Sequence, residues 1–120
     1  MKRSEFVENA LKVKLPSDYR EFIDTIGLIS NERGEIFGYN ENIKDINRIP
    51  CVIGATLLYR EDYPNISEKE IVISFDDYRN APIVLDTITG KIFRISHTEK
   101  ELLSKNFKEY FKLLFERTTE

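Results

Sequence analysis

"EIVISFDDYRNAPIVLDTITGKIFRIS" (Glu70 to Ser96) holds three apolar runs separated by two short polar joints. Ile71, Ile73 and Phe75 alternate along the first run, which places them on one face of a strand. "APIVLD" (Ala81 to Asp86) is almost wholly apolar, the pattern of a central strand covered on both faces. Pro82 is then expected at the first residue of that strand, where a missing ladder donor costs least. Asp76-Asp77-Tyr78-Arg79-Asn80 forms a polar tip between the first two strands. Gly90 supplies the positive-φ residue of a short hairpin loop before "KIFRIS". Joints this short connect antiparallel neighbours, because a parallel pair needs a crossover of roughly a dozen residues or more. The stretch predicts an antiparallel β-meander.

Helical patterns flank it on both sides. In "KLPSDYREFIDTIG" (Lys14 to Gly27), Pro16 suits the first helical position, where its absent N–H is not needed. Asp18 falls in the first turn, facing the positive end of the helix dipole. Tyr19, Phe22, Ile23 and Ile26 make one apolar face, and Gly27 can take the left-handed position that stops the helix. Upstream, Ser4 is expected to cap a helix reaching about Leu11, with Phe6, Ala10 and Val13 roughly on one side. Downstream, "SHTEKELLSKNF" predicts a helix opened by a Thr98–Glu101 capping box. A second box, Asn106 with Glu109, opens the last helix. Phe107, Tyr110, Phe111, Leu114 and Phe115 recur at helical spacing and read as core, so Phe22 and Phe111 are both expected to be buried.

The middle of the chain is less regular. "EIFGY" (Glu35 to Tyr39) reads as a short strand, "NIKDINRI" (Asn42 to Ile49) as a helical turn or an irregular link, and Pro50 to Tyr59 as a helix. The whole predicts an α+β fold: one domain over residues 1–120, an antiparallel β-meander packed with N-terminal and C-terminal helices.

Composition narrows the function. Eight Phe and six Tyr supply large buried areas, enough for a core without disulfide staples. The single cysteine, Cys51, excludes an internal disulfide framework and is expected to be a small buried hydrophobe. "MKRSEFVENALK" lacks the apolar core of a leader, and no stretch is long and apolar enough to span a membrane, so a cytoplasmic location is expected.

The catalytic search finds little. His97 is the only histidine, and no motif pairs it with Cys51 or a serine. No HxxxH or CxxC spacing offers a metal site, and the scattered glycines make no phosphate-cradling loop. Adjacent aspartates at a hairpin tip, as at Asp76-Asp77, are turn formers before they are a hydrolytic pair. The expectation is a chain that is not an enzyme, with no catalytic residues, no metal and no cofactor.

Charge is uneven. The net charge is −3, yet residues 61–90 carry seven acids against two bases. That bias disfavours a phosphate-binding surface, so no nucleic acid and no membrane is expected as a partner, and it suits a basic protein. Glu61, Asp62, Asp76 and Asp77, with the aromatic Tyr78 beside them, are the expected partner-binding residues.

Three segments share a family pattern. "KLPSDYREFIDTIG" resembles the L-P-x-x-[YL]-x-x-[FL] helix that opens members of the SUKH superfamily, typified by yeast cell-wall-synthesis regulators and many bacterial immunity proteins. The meander is similar to that family's strand, polar turn and "I-x-L-D-x-x-T-G-x-I" hairpin. "NFKEYFKLLFE" is similar to its closing helix, with Asn106 in place of a serine. The resemblance implies a non-catalytic protein-binding domain. In that reading it is an immunity protein that binds and neutralises a cognate toxin, a basic, nucleic-acid-acting toxin being the partner its acidic segment suits; the alternative is a cytosolic scaffold or regulator binding a cellular protein.

Overall fold

Four helices and six strands make up the computed structural model, which describes residues 1–115. In chain order they are α1 (Arg3–Leu11), α2 (Ser17–Thr25), β1 (Ile29–Asn31), β2 (Gly34–Ile36) and α3 (Val52–Asp62). Then follow β3 (Glu70–Asp76), β4 (Ala81–Asp86), β5 (Ile92–Ile95), β6 (Lys100–Ser104) and α4 (Phe107–Phe115). Strands β3-β4-β5-β6 form one antiparallel sheet in sequence order, and β1-β2 form a separate antiparallel hairpin. The fold is α+β, as the meander and its flanking helices predicted. Glu116, the last residue of the closing-helix pattern, lies outside the described residues.

The core joins the helices to the sheet. Tyr19, Phe22 and Ile23 of α2 are buried in one cluster with Ile71, Val84, Ile92 and Phe107. Residues Ala81 to Leu85 of β4 are all buried, as a central strand requires. Cys51 is fully buried ahead of α3. The Tyr19 hydroxyl donates to the carbonyl of Phe37 at 2.7 Å, which satisfies both polar groups inside the core.

Two close approaches fix the N-terminal half. The Ser4 N–H and hydroxyl both bond the Asp24 carboxylate at 2.9 Å, fastening α1 to α2. Ser4 therefore does not cap α1 as expected: it sits inside the first turn, and Lys2 is the cap residue. Gly27, at φ 96°, ends α2 in the left-handed position the sequence indicated. A β-carbon on Gly38 would stand 1.8 Å from the Gly27 carbonyl oxygen, so this crossing has no room for a side chain.

Three further expectations need correction. Pro16 is the cap residue of α2 rather than its first helical residue, its carbonyl accepting from the Arg20 N–H. Pro82 is the second residue of β4, opposite Phe75. The largest difference is at residues 98–104, where the Thr98–Glu101 box and its helix are replaced by strand β6. The Ser96 hydroxyl accepts from the Thr98 and Glu99 N–H groups and so closes a tight turn out of β5. Lys100 then pairs with the buried Glu70 carboxylate and lies 4.6 Å over the Phe93 ring, while Glu101 accepts from Arg94 at 2.6 Å. Partners outside the segment, in β5 and β3, override its local helical preference. The meander thus has four strands, not three.

The last helix follows its sequence pattern. Asn106 Oδ1 accepts from the Glu109 N–H at 2.8 Å, and Asp18 Oδ2 accepts from the Lys108 N–H at 3.1 Å. Phe107 and Tyr110 are buried, whereas Phe111 is only partly covered against the core.

Phe22→Ala should cost about 3–5 kcal/mol as a large-to-small core change. Phe111→Ala should cost distinctly less, and urea midpoints of the two variants give the ordering. Burial holds the Tyr19 hydroxyl well above its ordinary value. The folded chain keeps that proton to higher pH than the unfolded chain does. Stability from this group is therefore full below about pH 10 and is lost as pH rises through the folded-state value. A loss of denaturant stability in alkali that Tyr19→Phe reduces is the expected result, the remainder coming from Tyr59 and Tyr110, which burial also raises.

Candidate partner-binding site

The turn between β3 and β4 is built by one aspartate. Asp76 Oδ1 accepts from the N–H groups of Tyr78 (3.0 Å) and Arg79 (3.1 Å), and its Oδ2 pairs with Arg94 at 3.1 Å. Arg94 continues to Glu101, so the tip is tied across the sheet to β6. The Asp76 side chain is 16% exposed. Its charge is spent within the fold. Asp77 and Tyr78 instead face solvent, Tyr78 at 99% exposure.

Glu61 and Asp62 are exposed in the last turn of α3. An aromatic run joins that turn to the tip. Tyr59 stacks on Phe75 with ring centres 5.3 Å apart, and the Tyr63 ring stacks on His97 at 4.3 Å. The Tyr63 hydroxyl donates to the Asn80 carbonyl at 3.4 Å, and His97 Nε2 lies 2.9 Å from the Asp62 carbonyl oxygen. The Tyr59 hydroxyl is raised above its ordinary value first by burial, then by the field of Tyr63, Asp77, Glu35 and Asp62. Asp77, Glu35 of β2 and Asp62 thus all act on the Tyr59 hydroxyl. Glu61 shares the helix end with Asp62.

Beside the tip lies a groove of about 610 Å³, walled by the β1-β2 hairpin, the tip itself and α4. Gly34 lets the hairpin approach α4, since a β-carbon there would meet the Leu114 side chain at 2.9 Å. Arg33 Nη1 donates to the Phe115 carbonyl, and Arg79 and Arg94 both turn to Asp76. The groove's cations are thus engaged within the molecule. Among the described residues, Glu32, Glu35, Asp77, Glu61 and Asp62 form no ion pair within 4 Å. Glu32, Glu35, Tyr59 and Tyr63 escaped the sequence reading. The Tyr59-x-x-x-Tyr63 spacing was the one available signal, because it puts both rings on one side of a helix end. The described residues contain no group of three or more His, Cys, Asp or Glu placed for a metal ion. They also contain no helix long and apolar enough to cross a membrane.

A family model described as SMI1-KNR4 cell-wall, the fifth of the SUKH set, matches residues 2–116. The chain belongs to the SUKH family. None of the curated proteins compared with it matches. For this SUKH protein the match extends from the three segments that carried the resemblance over nearly the whole chain, the central residues between them included.

Asp76→Ala should destabilise by about 1–3 kcal/mol, because the turn N–H groups and Arg94 all lose their acceptor. Asp77→Ala, one residue on, should stay within about 0.5 kcal/mol. Thermal unfolding of the two variants separates the structural aspartate from the surface one.

Proposed function

We propose that this SUKH protein is a non-catalytic binding module that acts as an immunity protein, with its acidic rim set against a basic face of a cognate toxin. The observation that carries the reading is the group of acids around the β3-β4 tip and the end of α3 that form no ion pair among the described residues. Unpaired carboxylates repel one another and are stabilised by an incoming basic surface. A toxin that acts on nucleic acid carries such a surface in its substrate groove, where carboxylates occupy the place of phosphates. Tyr78, fully exposed between the charges, is suited to anchor the contact by burying its ring. Asp76 enters this reading as the residue that shapes the tip, while Asp77, Glu61, Asp62 and Glu35 present the charge.

Charge of this kind acts mainly on the rate of encounter. The triple variant Glu35→Gln/Asp62→Asn/Asp77→Asn should lower the association rate with the cognate toxin about tenfold at low salt. The difference should shrink as salt is raised. Stopped-flow or surface-based kinetics at two salt concentrations measures both effects. An unchanged rate at low salt removes the rim from the interface. Capture of a resident cellular protein by the wild-type chain, lost in the triple variant, assigns the rim to a scaffold or regulator instead.

A further inference from the structure

A second concavity, of about 290 Å³, lies between α2 and α4 and shares no lining residue with the groove beside the tip. Its floor is apolar. Phe22, Phe107 and Phe111 meet there with ring centres 5.2–6.1 Å apart, and Ile26 stands at one end with 48% of its surface exposed. Ile26 completes the apolar face of α2 in sequence, yet no described element covers it fully. The walls are charged and of opposite sign. Asp18 and Glu21 line the α2 side, and Lys108 and Lys112 line the α4 side. None of these four side chains takes part in an ion pair within 4 Å among the described residues.

This arrangement is self-complementary under one symmetry operation. A two-fold axis along the trough turns a second copy over so that its acidic wall meets the basic wall of the first. The same axis brings the other pair of walls together and lays one apolar floor on the other. A two-fold axis across the trough sets like charges together and is disfavoured. We propose that the α2-α4 trough is the contact between two copies of this chain in a two-fold dimer. Symmetric dimers use one patch twice, so every pair made across the axis is made again. The contact combines a small apolar centre with a charged rim, which predicts modest affinity and strong dependence on salt.

The test is sedimentation of the full chain from micromolar to ~0.5 mM at low salt, a range that covers weak association. Wild type should shift from monomer to dimer, and added salt should reverse the shift. Glu21→Lys leaves the α2 wall with one charge of each sign against a basic α4 wall, and Lys112→Glu leaves the α4 wall likewise mixed against an acidic α2 wall, so each variant alone should stay monomeric. Mixed in equal amounts, the two variants should associate again as a heterodimer, because their altered walls are complementary. Ile26→Asn should also remain monomeric, without any change of charge. All three positions are exposed, and unchanged thermal midpoints verify that the variants are folded. A wild-type chain that stays monomeric over the whole range overturns the proposal. So does a dimer that survives Glu21→Lys, which would use another face, or two monomeric variants that fail to associate on mixing.

Discussion

Strand β3 is the first strand of its sheet and so has one edge without a strand partner, yet residues 70–74 are buried. Backbone polar groups left unpaired in such a place are costly, so the edge must be satisfied from elsewhere. The Val72 N–H donates to Thr56 Oγ1 of α3, and the Ile73 carbonyl accepts from the Phe37 N–H at 2.7 Å. One residue on, the Ser74 hydroxyl donates to the Glu35 carbonyl at 2.6 Å. A register shift between Val72 and Ser74 accompanies these bonds. The placement of α3, of β2 and of the residues that follow it thus rests on the edge of one strand. The same closure sets Glu35 and the end of α3 on either side of the β3-β4 tip.

The acidic third of the chain divides along this construction. Glu70 is buried and pairs with Lys100, Asp76 holds the first turn of the meander, and Asp86 Oδ1 accepts from the Ile88 and Thr89 N–H groups in the second. These three carboxylates serve the fold. Glu61, Asp62 and Asp77 are exposed. A local excess of acid in sequence is therefore two populations in space. Composition registers their sum and has no means of separating them.

That division also marks what sequence could and could not reveal. Elements whose determinants are local were legible: the Tyr19, Phe22 and Ile23 face of α2, its Gly27 stop, the apolar run of β4 and the Asn106 cap of α4. Strand β6 was not, since "KELLS" is made of helix-compatible residues and its pairing depends on Arg94 in the strand before it and on Glu70, far away in the chain. The β1-β2 hairpin was seen only as one strand because its three-residue strands carry too little alternation to register. Within the candidate site, Asp76 and Asp77 are equivalent as letters. Only the positions of Arg94 and of the turn N–H groups distinguish them. Glu35 reaches the rim through the closure of β3, which no local pattern encodes.

The tip has a further consequence for how such a chain changes over time. Asp76 fixes the turn through its own carboxylate, and Asn80 accepts the left-handed conformation at φ 55° that closes it. Between them, Asp77 and Tyr78 project outward, and their side chains make none of the bonds that define the loop. Substitution at these two positions is therefore uncoupled from folding. A lineage facing a partner whose surface drifts can replace them freely while the frame on either side stays constant. Divergence concentrated at 77 and 78, with 76 and 80 held, is the evolutionary signature that this geometry imposes.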